Sequence, residues 1–247
     1  MSNNLRHQEI LRFLDQNGSV SIRKLMGMLY VSEATVRRDL AELERLGALK
    51  RTHGGAATVL DTNKQVPLFI RESLNSRAKS EICRQAAEVV RDGDTIFIDG
   101  SSTAQYLIKY IANRKDILVV TYSIKTAELM CQSHIKTYCA GGLLMENSLV
   151  CTGHKTIEFA RSMNTDLCFL SCKGVSLDGK FTDTSEEETA IRRAFMQNSR
   201  TRILLMTSNK FDSSYLHTLC TADEIDYLFS DGEIPETIRV SKKSRKE

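Results

Sequence analysis

Two sets of residues in this 247-residue chain have types and spacings suited to holding anions. The first is the adjacent pair Arg37-Arg38, preceded by Ser32 and Thr35 and followed by the basic run Lys50-Arg51-Thr52-His53. Guanidinium groups match both guanine edges and phosphate oxygens, and hydroxyls add short-range donors. The second set is a series of short loops: Asp99-Gly100-Ser101-Ser102-Thr103, Thr121-Tyr122-Ser123, Gly141-Gly142, Lys173-Gly174 and Ser208-Asn209-Lys210. Small and hydroxylated residues that open a helix offer backbone N–H groups and side-chain donors to an anion, and nearby lysines supply charge. Any one such loop is an ordinary way to leave a strand. Their weight comes from convergence on one edge of a sheet.

The elements that position the first set are short helices. Residues 5–16 carry Ile10, Leu11, Phe13 and Leu14 at helical spacing, and Asn17-Gly18 stops them. Ser21 caps a second helix holding Ile22, Leu25, Met26 and Leu29, and Ser32 caps a third with the stripe Val36, Leu40, Leu43, ended by Gly47. At about 100° per residue that stripe leaves Arg38 opposite the buried face and Thr35 and Arg37 on its flanks. Residues 48–57 read as a strand, a basic tip and a glycine turn, which is a wing. A basic pair on an isolated helix is most often a solvated face. Helix, helix, tight turn, helix and wing together reverse that reading and predict a recognition helix whose first turns enter a major groove.

The second set sits in a longer alternating region. Helical patterns at 75–90, from Thr103, from Ile124, at 154–163 and at 185–199 alternate with strand patterns at 95–99, 117–121, 135–142, 166–171, 202–207 and 227–231. That alternation predicts an α/β domain with a mostly parallel sheet covered on both faces, in which ligands bind beyond the carboxyl ends of the strands.

Charge divides the same way. Residues 1–57 hold nine Lys/Arg against six Asp/Glu, residues 58–238 hold 20 against 24, and residues 239–247 hold five against one. Positive charge at the two ends suits a polyanionic partner. The expected organisation is a DNA-binding domain at 1–57, a linker at 58–74 around Pro67, an α/β domain at 75–238 and a basic tail at 239–247. A hydrophobic content of 41% allows a packed core and excludes collagenous or wholly disordered classes. No run approaches the roughly 18 apolar residues of a membrane helix, and the N-terminus lacks a signal-peptide pattern, so the expected setting is cytoplasmic and free of membrane. Seven cysteines scattered without paired spacing are expected as reduced, mostly core thiols.

The run 6–57, above all VSEATVRRDLAELERLGALKRTHGGAA, resembles the winged helix-turn-helix of the DeoR family of bacterial transcription regulators. Residues 71–235 resemble the same family's ligand-sensing domain, similar in fold to sugar-phosphate isomerases and CoA-transferase-like domains. The resemblance implies a repressor of carbohydrate-metabolism genes that binds double-stranded operator DNA as a homodimer or higher homo-oligomer and responds to a phosphorylated sugar. DNA contacts are then expected from Ser32, Thr35, Arg37, Arg38, Arg51 and His53, with Asp39 orienting one of the two arginines by a salt bridge. Ligand contacts are expected from Lys79, Asp99, Gly100, Ser101, Ser102, Thr103, Thr121, Tyr122, Ser123, Lys173 and Lys210. The chain departs from the family pattern at several of these places. Asp-Gly-Gly-Thr-Thr has become Asp99-Gly100-Ser101-Ser102-Thr103, Thr-Asn-Ser has become Thr121-Tyr122-Ser123, and Asp-Ser-Ser-Lys-Phe has become Thr207-Ser208-Asn209-Lys210-Phe211. Loss of that last carboxylate leaves a more basic site, which keeps anion binding and leaves the sugar open.

Three alternatives stand beside this reading. An isomerase-like enzyme would need paired proton-transfer groups, and Asp99 and Asp166 are the obvious strand-end carboxylates. A metal site could draw on Cys168 and Cys172, or on His134 between Cys131 and Cys139, yet zinc sites use tighter pairs, and buried thiols fit better. Glu186, Glu187 and Glu188 after Ser185 read as dipole-favouring residues of a helix start. Finally, the sensor could be vestigial and serve only in oligomerisation. No catalytic residue, metal or cofactor is expected.

Overall fold

The computed structural model describes residues 3–58, 66–238 and 240, which fall into two compact units, Met1–Ser76 and Arg77–Glu247.

In the first unit, α1 (Asn3–Asn17), β1 (Ser19–Ser21), α2 (Ile22–Leu29), α3 (Glu33–Arg45), β2 (Leu49–Thr52), β3 (Gly55–Thr58) and α4 (Leu68–Ser73) follow one another. Ser21 and Ser32 cap α2 and α3, accepting from the backbone N–H of Lys24 and Thr35. The apolar stripes meet in one core containing Ile10, Leu11, Leu14, Leu25, Leu29, Val36, Leu40 and Leu43. The wing is a three-stranded antiparallel sheet in the order β1-β3-β2. Gly55 is required there, because a Cβ would lie 1.9 Å from the Val20 carbonyl oxygen. Strand β1 was not legible, being three residues with one buried side chain.

The segment read as a linker, 58–74, behaves differently where it is described. Residues 59–65 lie outside the described residues. Residues 66–74 carry α4, whose Leu68 and Ile70 are buried, Ile70 within the core of this unit. Asp15 of α1 accepts from the backbone N–H of Asn75 and Ser76 and closes the unit. Pro67 starts the helix here, because a missing N–H costs nothing at a helix N-terminus. The expected basic tail also lies outside the described residues, apart from Val240.

The second unit contains α5 (Ser76–Ala86), β4 (Thr95–Ile98), α6 (Ile108–Ile111), β5 (Leu118–Thr121), α7 (Ile124–Gln132), β6 (Lys136–Cys139), β7 (Leu143–Met145), β8 (Val150–Thr152) and α8 (His154–Ser162). It continues through β9 (Thr165–Leu170), β10 (Gly174–Val175), β11 (Lys180–Asp183), α9 (Glu186–Gln197), β12 (Ser199–Met206), β13 (His217–Thr221) and β14 (Tyr227–Ser230). Six strands form a sheet in the order β14-β12-β9-β4-β5-β6, with every neighbouring pair parallel. Alternate residues feed two cores. Phe97, Val120, Cys168 and Leu204 enter one, whereas Ile96, Val119, Leu167 and Ile203 enter the other, as a sheet buried on both faces requires. Two antiparallel additions, the hairpin β7–β8 and the three-stranded sheet β10-β11-β13, flank it. Among the described residues no helix is long and apolar enough to cross a membrane.

Candidate functional site

On the first unit the capped N-terminus of α3 presents Ser32, Arg37 and Arg38 to solvent with Thr35 half-buried, while Val36, Asp39, Leu40 and Leu43 face inward. Ser32 Oγ lies 3.1 Å from Thr35 Oγ1, so the two hydroxyls form one polar corner at the start of the helix. Arg37 pairs with Glu33 one turn back at 2.7 Å, and Arg51 of β2 pairs with Glu44 at 2.8 Å. Glu44 also accepts from the backbone N–H of Arg51, and that bond, followed by the guanidinium, holds its pKa below the ordinary value. A surface depression lined by Arg37, Glu44, Arg51 and His53 joins the recognition helix to the wing. Helix and wing therefore present their cations together, and Arg38 has no ion-pair partner among the described residues.

Asp39 departs from expectation. It does not orient Arg37 or Arg38. Buried at the back of α3, it accepts two hydrogen bonds from Arg6 of α1, at 2.7 and 2.9 Å, and so fastens the recognition helix to α1. Arg6 lies 33 residues away in sequence, and only the fold brings the two together.

On the second unit the sheet order reverses between β4 and β9: from β4 the chain proceeds outward to β5 and β6, and from β9 outward to β12 and β14. Such a switch point opens a crevice at the carboxyl ends of the strands. Asp99 and Ser171 stand at those ends. The Asp99 carboxylate is fully buried and accepts from the backbone N–H of Ser101 and of Ser171, both at 2.9 Å, so it fixes the crevice rather than lining it. Burial raises the Asp99 pKa, and nearby Arg192 and Ser101 oppose that rise. Lys79 of α5 is buried and donates to Ser102 Oγ at 3.1 Å; Lys210 donates to Ser171 Oγ at 3.0 Å and to the Cys172 carbonyl at 2.7 Å. Two lysines thus hold the two sides of the switch point.

Gly100 lies against the hairpin, since a Cβ there would come 2.3 Å from Val150 Cγ1. Ser123 caps α7 through Thr126 N–H, and Thr121 Oγ1 accepts from Ser123 N–H, so this loop flanks Gly100 with its hydroxyls turned to its own backbone. Thr103 is buried and its carbonyl accepts from Cys83 Sγ. The helix expected from Thr103 is a 3-10 segment, Ala104–Leu107, followed by the four-residue α6, so little helix dipole reaches this loop.

Two expected ligand residues are placed elsewhere. Tyr122 is fully buried and stacks on Phe97 at 6.0 Å, with its hydroxyl donating to Glu188 at 3.4 Å. An aromatic ring where the family pattern has asparagine fills the core under the loop. Lys173 sits with its ammonium 4.9 Å from the centre of the Tyr215 ring.

Sequence reasoning missed Arg192. It is buried on α9 and donates to the Ser171 carbonyl at 2.8 Å, to Asp183 at 2.9 Å and to Glu188 at 3.4 Å, while its Nε has no hydrogen-bond partner among the described residues. Burial works against its charge, but Asp183 and Glu188 outweigh it and raise its pKa well above the ordinary value. Asp183 is correspondingly lowered by Arg192 despite its own burial. Glu188 therefore does more than favour a helix dipole. Glu188 and Arg192 lie four apart on one helix, a spacing that would have revealed the pair but not its burial.

The thiols are mostly inert. Burial pushes Cys83 and Cys172 up to about 12, and Cys168 is fully buried. Among the described residues no group of three or more His, Cys, Asp or Glu side chains is placed to hold a metal ion.

Residues 6–62 match the DeoR-like helix-turn-helix domain family and residues 74–232 the DeoR C terminal sensor domain family. The HTH-type transcriptional regulator GolR of Listeria innocua is 31% identical over 234 residues, covering 94% of this chain and 92% of that one. The glycerol-3-phosphate regulon repressor of Haemophilus influenzae is 29% identical over 240 residues, covering 96% and 92%. Among solved structures, the tetrameric eIF2B-beta2-delta2 complex from C. thermophilum is 16% identical with a TM-score of 0.50, covering 64% of this chain and 56% of that one, a likeness of fold alone. This chain spans little more than half of that one. The full-length relatives are named as regulators, not enzymes, and with both domains matched the chain belongs to the DeoR family of DNA-binding transcriptional regulators.

Proposed function

We propose that the protein is a cytoplasmic repressor of carbohydrate-metabolism genes whose hold on double-stranded operator DNA is set by a phosphorylated sugar or related small anion. On the DNA side the contacts come from Ser32, Thr35, Arg37, Arg38, Arg51 and His53. What supports this is the shared face of α3 and wing, where Arg37 and Arg51 line one depression and exposed Glu33 and Glu44 are partners that phosphates can replace at little cost.

The observation that carries the effector is the pair of lysines at the switch point, Lys79 on Ser102 and Lys210 on Ser171, joined through Asp99. A dianionic phosphate placed at Ser101–Thr103 meets cations on two sides and takes over hydroxyls that now bond within the loops. Relatives include repressors named for the glycerol-3-phosphate regulon, which agrees with a phosphorylated ligand. The test is calorimetry on the full chain with a panel of sugar phosphates, using inorganic phosphate and the unphosphorylated sugars as controls, followed by operator titration with any ligand that binds. Heat from a sugar phosphate, none from its parent sugar, and a change in operator affinity are expected. Because Ser101 and Ser123 already bond within their own loops and Ser102 already accepts from Lys79, a sensor that only oligomerises is the second reading. An empty panel would favour it.

A further inference from the structure

Hairpin β7–β8 is unusual in having one strand buried and the other bare. All three residues of β8 are buried, whereas Leu143, Leu144 and Met145 of β7 are 70%, 52% and 36% exposed. Consecutive strand residues point to opposite faces, so neither face of β7 is covered. Its outer edge is equally bare, since β7 pairs with β8 alone among the described residues. Leu149 and Ile124, both exposed, extend the patch: Leu149 N–H donates to the Met145 carbonyl, and Ile124 N–H to the Leu149 carbonyl at 2.9 Å. An apolar edge strand without lysine or proline is a template for another strand, and folded proteins normally cover one.

We propose that β7 and its neighbours Ile124 and Leu149 form the surface on which a second copy of this chain docks. Three observations favour a second copy over other occupants. A strand that pairs antiparallel with its own copy is two-fold symmetric, so one bare edge satisfies itself. The patch offers on the order of 400 Å² of apolar surface, near the apolar share of the roughly 800 Å² per partner in a standard interface. Both signs of charge rim it, Lys125 paired to Glu128 on α7 and Glu146 on the hairpin turn, which suits self-pairing and opposes a polyanion.

The root of the same hairpin touches the switch-point loops. Val150 fills the space beside Gly100 and bridges Ser123, and Cys151 N–H donates to the Tyr122 carbonyl at 2.8 Å. A ligand at Ser101–Thr103 therefore acts on the docking strand through Gly100 and Val150. That coupling rests on the effector reading above; the docking itself does not.

Sedimentation velocity on the full chain, with Leu144→Glu and Leu143→Ser, is the test. The parent should be dimeric or larger at micromolar concentration, and each variant should weaken self-association at least about tenfold while melting like the parent. Leu216→Glu, exposed far along the chain at β13's approach, should leave association unchanged. If Leu144→Glu does not fold, Leu143→Ser decides by itself. A monomeric parent, variants that associate like the parent, or equal damage from Leu216→Glu would overturn the proposal. A sugar phosphate that binds by calorimetry but leaves the sedimentation unchanged removes the coupling and keeps the docking surface; a panel that gives no heat fails the effector reading and leaves docking to be judged on the variants.

Discussion

The two units use charge in opposite ways. In the DNA-binding unit the arginines facing solvent are held by neighbouring carboxylates that are themselves exposed, Arg37 by Glu33 and Arg51 by Glu44. In the sensor unit Arg192, Asp183 and Glu188 are all largely shielded from water and bond to one another and to the Ser171 carbonyl. Exposed pairs contribute little to stability because water screens them, so they exchange partners readily when a phosphate arrives. A buried cluster behaves otherwise, since removing one partner strands the others away from water. The first arrangement is a surface poised to bind. The second is a frame for the loops that bind.

The widest gap between the units should appear on cutting each kind of pair. Asp183→Asn leaves Arg192 short of a buried counter-charge and should destabilise the sensor unit by about 3 to 5 kcal/mol in urea denaturation, whereas Glu33→Ala and Glu44→Ala should leave the melting curve in place. Acid sharpens the contrast. The folded pKa of Asp183 is lowered, so its contribution is present above the ordinary aspartate value of about 3.9 and is lost as pH falls below it. The parent should therefore lose stability on acidification through that range more steeply than Asp183→Asn does. Equal acid slopes would show that the cluster is no frame.

Next come the binding cations. Lys210→Ala should weaken sugar-phosphate binding by about 1.5 to 3 kcal/mol in calorimetry and leave ligand-free operator binding intact. Arg38→Ala should do the reverse, losing about 1 to 3 kcal/mol of operator affinity in a gel-shift titration while melting like the parent, because its side chain is exposed opposite the buried stripe. If both variants lowered both affinities, the division of labour between the units would fail.

What was legible in the sequence follows the same division. In the parallel sheet, runs such as 95–99 and 202–207 are dense in β-branched and large apolar residues, and the strands fall within a few residues of expectation. The helix-turn-helix was legible because its caps, stripe and exposed arginines all lie within a few turns of one another. Residues whose roles depend on distant partners were not: Asp39 meets Arg6, Tyr122 goes under its loop onto Phe97, and Arg192 reads as one more basic residue in a helix until α9 packs it inward. Leu143 to Met145 escaped notice because three apolar residues after Gly141-Gly142 have no period to count. Local chemistry is written locally, whereas burial of a polar group is decided by the whole fold.

The smallest expected effect lies in the turn before the recognition helix. Tyr30 ends α2 with φ at 54°, the left-handed region, and is 93% exposed. A bulky side chain in that region meets its own backbone, at a cost of roughly 1 to 2 kcal/mol, whereas asparagine tolerates it by bonding locally. Gly18 and Gly47 already occupy the left-handed region elsewhere in this unit without that cost. Because so little of the Tyr30 ring is buried, no packing is lost on replacing it. Tyr30→Asn should thus raise the stability of the DNA-binding unit by about 0.5 to 1 kcal/mol in thermal denaturation. The same variant reports on the surface next to Ser32. Unchanged operator affinity leaves the contact face to α3 and the wing, while a stability gain accompanied by weaker operator binding would add the Tyr30 phenol to that face and extend it into the turn.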